Sequence, residues 1–332
     1  MAATLKDVAE LAGVSIATVS RVLNNPEKVA AQSRNRVLEA VDRLGYSSNL
    51  LAKSLRQDGL NAVYVLLPSL SDPFFAQMHQ GISDVLASYD YLMLSAATEG
   101  SQSMEQDALA KARSVGPAGV LAYSNHRDFG DTAARVCGGF PTLLLAGNAP
   151  AEGSSQRTLT LDRGTLGVRA AQALLQQGRK QLLCLCEDPE GLAGDLWTGI
   201  QTAAKAQRAE SFLCPAGRSL ADARRALEGF LAASPLPDGI LAETCQQAAG
   251  ALAILRERGV SVPADTAVLT FENSDLARLT TPELSALGPS GYQVGMVGAA
   301  RLLAWIRGED EGPSGRRDAL DVNLILRGSS HG

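Results

Sequence analysis

The sequence predicts an N-terminal all-α head carrying a helix-turn-helix, followed by an α/β body of two parallel-sheet subdomains. Two observations predict it. Residues 4–24, TLKDVAELAGVSIATVSRVLN, place apolar side chains at helical spacing on both sides of a glycine. From residue 61 onward, short apolar runs alternate with amphipathic stretches. That is the rhythm of βαβ units, whose parallel sheets are covered by helices on both faces.

In the head, Leu5, Val8, Ala9 and Ala12 recur at helical spacing, so a first helix buries one face. Gly13 stands where the chain must turn sharply. Ser15 offers a side-chain oxygen to the open N–H groups of the next helix. Val19, Val22 and Leu23 point inward from that helix and leave Ile16, Ala17, Ser20, Arg21 and Asn24 outside. A third amphipathic helix over 31–44 is expected to turn Val37, Leu38, Val41 and Leu44 inward and to end at Gly45. A helix-turn-helix of this layout enters the major groove of DNA with its second helix. The inert alternative is a helical hairpin that only packs.

The body begins at NAVYVLLP (61–68), an apolar, β-branched run that reads as a buried parallel strand. Residues 72–90 read as helix, with apolar positions 74, 75, 78, 82, 85 and 86 on one stripe. Further strands are expected at YLMLSAA, GVLAYS, PTLLLAG, QLLCLCE, GILAE and TAVLTFE, with helices over 164–177, 195–208 and 246–258. About 270 residues exceed one comfortable sheet, so two similar subdomains follow, with a break near 158–162.

The 332 residues, 45% of them apolar, suffice for two or three domains with real cores. No run approaches the ~20 apolar residues of a membrane span, and no apolar signal-peptide core opens the chain, so a cytoplasmic location is expected. Five cysteines without regular spacing do not suggest a disulfide framework. No CxxC pair or His cluster supports a metal site, and no cofactor is implied. The net charge of −5 divides unevenly. Residues 1–57 hold eight Lys and Arg against five Asp and Glu, a net of +3, which leaves −8 for the remainder. A basic head on an acidic body keeps the attraction to phosphate local.

TLKDVAELAGVSIATVSRVLNN, then GYSSNLLAKSL, then DPFF at 72–75 and RGSS at 327–330 resemble the lactose-repressor-type (LacI/GalR) transcriptional regulators, from Thr4 to Ser330. The resemblance implies a periplasmic-binding-protein-like body. It also implies a head over 1–47, a hinge helix and linker over 48–60, and an effector-binding and dimerisation body over 61–332. The N-subdomain would take about 61–160 plus 290–320, and the C-subdomain about 161–289 plus 321–330. Residues 290–308 would then return as a helix to the first subdomain, and DVNLILRGS would supply a last strand to the second.

For the head, the resemblance puts operator preference on Ile16 and Ala17, which stand at the first turn of the recognition helix. By chemistry, Arg21 can fork onto a guanine edge or clamp a phosphate. Ser15, Thr18, Ser20 and Asn24 can bond phosphates or bases, and for Thr18 an intrahelical hydroxyl contact is the alternative. Thr4 is counted with this surface, and Lys6 and Arg34 suit phosphate contacts. Asn49, Ala52, Lys53 and Leu55 belong to the hinge segment NLLAKSL, too short to be stable by itself. In the family two such segments pair in the minor groove, and Leu55 matches the leucine that wedges into the central base step. Ser48 stands where the family has Pro, and a plain linker with chance leucines is the alternative reading. One recognition helix covers a half-site, so a homodimer on a near-palindromic operator is expected.

For the cleft between the subdomains, the resemblance implies a small-molecule effector contacting Asp72, Phe74, Asp162, Leu196, Trp197, Thr244, Cys245 and Glu272. Several of these depart from the family's anchors. Leu196 replaces an Arg, Thr244 and Cys245 an Asn-Asp pair, Glu272 an Asp, and Ala146 an acidic residue. A sugar hydroxyl left unpaired in a closed cleft costs ~1–3 kcal/mol. The expectation is therefore an atypical effector, with an ordinary sugar held by other residues, or control by a partner protein or by expression level, as alternatives. Trp197 either stacks on a ring or belongs to the core. A solute-binding protein shares the body's fold but lacks the head. An enzyme is disfavoured, because no GxGxxG, GxSxG or HExxH pattern is present. Repression is the default sign.

Overall fold

The computed structural model of the chain describes residues 3–24, 26–46, 60–124, 126, 128–145, 157–187, 192–310 and 317–331. The chain divides into two compact units, Met1–Leu60 and Asn61–Gly332. Each is described by itself.

The first unit holds α1 (Leu5–Ala12), α2 (Ile16–Asn24) and α3 (Ala31–Leu44), with one 3-10 turn at Pro26–Lys28. Thr4 caps α1 in a capping box with Asp7, which satisfies two otherwise open backbone donors. Gly13 ends α1 at φ 63°, a left-handed conformation that favours glycine. Val8, Ala9, Ala12, Val19, Val22, Val37 and Ala40 form the core of the unit. One expected core position moves outward: Leu38 is 48% exposed, and Ala40 takes the inward place with Val37. The reason is helical geometry. Positions 37, 40, 41 and 44 share one face, and Leu38 is rotated about 100° away from Val37.

The second unit contains two six-stranded sheets. Its elements are β1 (Leu60–Leu67), α4 (Pro73–Ser88), β2 (Leu92–Ala97), α5 (Gln102–Val115), β3 (Pro117–Ala122), α6 (Phe129–Cys137), β4 (Thr142–Leu145), β5 (Arg157–Thr160) and α7 (Arg163–Leu175). There follow β6 (Gln181–Cys186), α8 (Leu192–Ala206), β7 (Glu210–Pro215), α9 (Leu220–Ala233), β8 (Gly239–Ala242), α10 (Cys245–Glu257), β9 (Ala267–Thr270), α11 (Leu276–Leu279) and β10 (Ser285–Leu287). The chain closes with α12 (Gly291–Ile306), β11 (Arg317–Ala319) and β12 (Leu324–Ile325).

The sheet orders are β11-β5-β4-β3-β1-β2 and β12-β10-β9-β8-β6-β7. β12 runs antiparallel to β10, and the pairs β11–β5, β5–β4, β4–β3, β1–β2, β10–β9, β9–β8, β8–β6 and β6–β7 are parallel. The two sheets share one plan, and each receives its last strand from the C-terminal segment. Before those strands, α12 returns from the second sheet to pack on α4, beside the first. Apolar strands such as LNAVYVLL and QLLCLC are almost wholly buried, as doubly covered parallel sheets require.

Glycine sets the spacing of the main helix pairs. A Cβ on Gly81 would lie 2.3 Å from the Tyr292 carbonyl oxygen, between α4 and α12. In the second subdomain a Cβ on Gly199 would lie 2.2 Å from the Gly164 carbonyl oxygen, between α8 and α7.

Candidate DNA-reading face and body cleft

On α2 the sequence pattern becomes a surface. Val19 and Val22 are buried, whereas Ile16 is 50% exposed and Ala17 and Arg21 are exposed beside it. The face is therefore a small apolar patch followed by a cation. Ser15 precedes the helix, and its Oγ accepts from the Thr18 N–H at 3.2 Å. Ser15 Oγ and Thr18 Oγ1 also lie 2.9 Å apart, so Thr18 makes the local hydroxyl contact. Ser20 is half-buried, and Asn24 ends the helix. Thr4 is tied up in its capping box. Lys6 is largely exposed, 4.0 Å from Glu10, an arrangement of little energetic consequence in water. Asn49, Ala52, Lys53 and Leu55 lie outside the described residues, as does Ala146.

In the body, the expected effector residues separate into two groups. Phe74, Leu196 and Glu272 line a small inner cavity of about 30 Å3, and Asp72 lines an open mouth of about 790 Å3. The others support the site from behind or lie aside. Asp162 is exposed and caps α7, accepting from the Thr165 N–H at 2.9 Å and the Thr165 hydroxyl at 2.6 Å. Those bonds hold its carboxyl below the usual range. Trp197 packs half-buried against the core of the second sheet and does not line the cavity. Thr244 caps α10 in a capping box with Gln247, and its hydroxyl donates to the Arg218 carbonyl at 3.2 Å. Cys245 is buried, its Sγ donating to the Glu272 carbonyl at 3.1 Å.

The structure adds four polar residues that sequence reasoning missed: Tyr123, Arg163, Arg218 and Glu243. Leu196, Thr244 and Cys245 bring no charge to the cleft, yet it is not poor in charge. Arg163, at the start of α7, donates to Glu243 Oε1 at 3.2 Å and to the Tyr123 hydroxyl at 3.3 Å. Arg218, in the loop before α9, donates to Glu272 Oε1 at 2.7 Å and to Asp72 Oδ2 at 3.4 Å. Asp72 and Tyr123 belong to the first subdomain, and the other four to the second, so two arginines bridge the cleft. Burial pushes Glu272 up to about 7, with Arg218 opposing and Asp72 reinforcing the shift. No motif surrounds these residues. Arg163 merely follows Asp162, and Arg218 merely precedes the Ser219 cap of α9.

A cavity of 30 Å3 accommodates a water-sized molecule and no sugar. Phe74, Tyr123 and Phe271 supply aromatic surface around it, and Phe75 lines the open mouth. Phe75 and Tyr123 meet edge to face at 4.9 Å, and Phe74 and Phe75 at 5.6 Å. Among the described residues no helix is long and apolar enough to cross a membrane.

Residues 4–49 match the bacterial regulatory proteins of the lacI family, and residues 171–330 match the periplasmic binding protein-like domain. The HTH-type transcriptional repressor CytR of Escherichia coli K12 is 28% identical over 99% of this chain and 96% of its own length. The ribose operon repressor of Bacillus subtilis is 30% identical over 92% of each chain. Among solved structures, a LacI-family transcriptional regulator from Silicibacter pomeroyi superposes with TM-score 0.81 at 25% identity, covering 98% of this chain and 99% of that one. The Lac repressor bound to ONPG gives TM-score 0.88 at 21% identity, over 99% of this chain and 100% of that one, which speaks to fold alone. With this relatedness along nearly its whole length, and with a helix-turn-helix and a two-sheet body in the same order, the chain belongs to the lacI family and is a DNA-binding transcriptional repressor.

Proposed function

We propose that this repressor acts as a homodimer on a near-palindromic operator of a metabolic operon, in the cytoplasm, with operator affinity set by the state of the body cleft. The observation that carries the reading is the division of α2, where Val19 and Val22 hold the helix from behind while Ile16, Ala17 and Arg21 face outward. An exposed isoleucine and alanine suit thymine methyls, and an arginine suits a guanine edge or a phosphate. Residues 1–47 form the reading head. Residues 48–60 form a hinge in which Leu55 wedges the duplex, supported by the segment NLLAKSL. The body carries effector response and dimerisation, its first subdomain over about 61–160 plus 290–320 and its second over about 161–289 plus 321–330.

One observation favours a second form of control, by a partner protein or by expression level. The inner cleft is filled by the chain's own ion pairs, and about 30 Å3 remains. A thermal-shift screen of the full chain separates the two. Sugars, sugar acids, phosphosugars, nucleosides and amines are tested with and without operator DNA. A saturable rise in Tm for one class supports small-molecule control, because a ligand that binds only the folded state stabilises it. A flat response with intact operator binding supports the second form. Loss of footprinting on every palindromic site selected from random DNA would overturn the DNA-reading proposal itself.

A further inference from the structure

The surroundings of Arg218 have the construction of a receptor. Asp72 caps α4: its Oδ1 accepts from the Phe74 N–H at 2.9 Å, which leaves Oδ2 turned to the cleft. Glu272 is held in the same manner, its Oε2 accepting from the Cys245 N–H, the first residue of α10, at 3.1 Å. Its Oε1 is left for the cleft. Each carboxylate is thus fixed by the N-terminus of a helix, where a negative charge is favoured, and presents its other oxygen forward. The Phe75 ring forms a third wall, 5.1 Å from the Arg218 guanidinium carbon. Two oriented carboxylates and an aromatic face are the complement of a planar guanidinium.

The occupant is supplied by the chain, and its backbone is also fixed. The Arg218 carbonyl accepts from the Thr244 hydroxyl. Gln247 Nε2 donates to the carbonyls of Ala216 and Gly217 at 2.9 and 3.3 Å. The loop is therefore pinned to α10 while the side chain reaches across to Asp72. The side chains of Arg218, Asp72 and Glu272 are 16%, 9% and 10% exposed, so the charges are largely withdrawn from water and each is paired.

We propose that Asp72, Glu272 and Phe75 form a guanidinium-binding site that the chain fills with its own Arg218, so that the cleft closes on an internal ligand and its ligand class is an alkylguanidinium. Closure then needs no metabolite. A neutral sugar finds the inner carboxylates already taken, and a molecule that opens the cleft must displace the Arg218 side chain. The link from closure to the operator rests on the reading of the cleft as the regulatory site. The receptor itself does not.

The test is chemical rescue in the full-length protein. Arg218→Ala is expected to lower Tm, and low-millimolar methylguanidinium, against matched sodium chloride, is expected to recover most of that loss with saturation. Methylurea, of the same shape without charge, is expected to recover none, and the wild type is expected to show no saturable rise. Arg218→Lys keeps a cation without the fork and is expected to melt between Ala and wild type, which keeps the question answerable should Arg218→Ala fail to fold. A Lys variant no more stable than Ala, or an Ala variant that methylguanidinium does not stabilise beyond methylurea, would overturn the internal ligand. Operator affinity is titrated in the same samples. Thermal rescue with operator affinity unchanged throughout supports the receptor and overturns only the cleft's regulatory role.

Discussion

Arg163 Nη2 donates to the Tyr123 hydroxyl at 3.3 Å, and that bond joins the first turn of the second subdomain to the residue just beyond β3 of the first. The same guanidinium holds Glu243, whose Oε2 accepts from the Glu187 N–H at 3.0 Å. Tyr123 is buried, and burial pushes its phenol up, so it stays a neutral acceptor for the arginine. Tyr123→Phe keeps the ring packing against Phe75 and removes the oxygen. The expected outcome is a Tm loss equivalent to about 1–3 kcal/mol, the cost of a buried donor left without its acceptor. A melting curve identical to wild type would show that the bond contributes nothing to closure.

Glu272 gives the body a pH dependence of definite sign. Burial raises its carboxyl from the usual 4.5 to about 7, Arg218 pulls it down and Asp72 pushes it up, while the Cys245 N–H also favours the charged form. A group whose folded pKa lies above its unfolded value contributes stability that is complete below about 4.5 and is lost as pH rises through about 7. The Tm difference between wild type and Glu272→Gln is therefore expected to fall from pH 4.5 to pH 7.5 and to level off above. A difference that grows over that window contradicts the burial-dominated shift.

Arg21→Ala is expected to reduce affinity for the selected operator by roughly 1–3 kcal/mol while leaving Tm unchanged, because the side chain is exposed on α2. A fluorescence titration against operator and scrambled DNA reads it. Equal loss on both sequences would assign Arg21 to phosphate, and no loss on either would remove it from the interface.

Two neighbouring residues of α3 test the packing of the head. Val37 is fully buried and Leu38 is 48% exposed. Val37→Ala is expected to cost about 2 kcal/mol and Leu38→Ala less than about 0.5 kcal/mol. Differential scanning calorimetry of the head's transition checks the order, and a larger cost at Leu38 would reverse the assignment.

Gly199→Ala is expected to lower the Tm of the body by the equivalent of roughly 1–3 kcal/mol, since the new methyl meets backbone at Gly164, which cannot swing aside. Gly229→Ala, at an exposed position of α9 with no atom within 4 Å of the new methyl, is the matched control and is expected to be neutral or stabilising.

The DNA-reading face was legible in residues 4–24 because a helix-turn-helix is a local object: its core faces, its glycine turn and its Ser15 cap all lie within a few turns of chain. Leu38 was misplaced because a long aliphatic side chain at the edge of a helical stripe reads the same whether it packs or not. Seven strand runs between 61 and 272 were legible because they are continuous apolar segments, whereas β5 (RTLT) and β7 (ESFLCP) were not, because polar residues interrupt them. Short pieces such as β10 and β11 were not, since three residues carry no period, and β12 was expected only through the family resemblance of DVNLILRGS.

By itself the sequence determined the order of head and body, the parallel α/β character of the body and the outward side chains of α2. These follow from hydrophobic period and turn chemistry, which act over neighbouring residues. Only the tertiary structure brought Tyr123, Arg163, Arg218 and Glu243 into the cleft and decided how its charges pair. Asp72, Tyr123, Arg163, Arg218, Glu243 and Glu272 are spread over 200 positions and come together because α4, α7 and α10 begin at the same ends of two sheets. Pairing between charges so distant in sequence depends on where the backbone places them, and no local pattern records it.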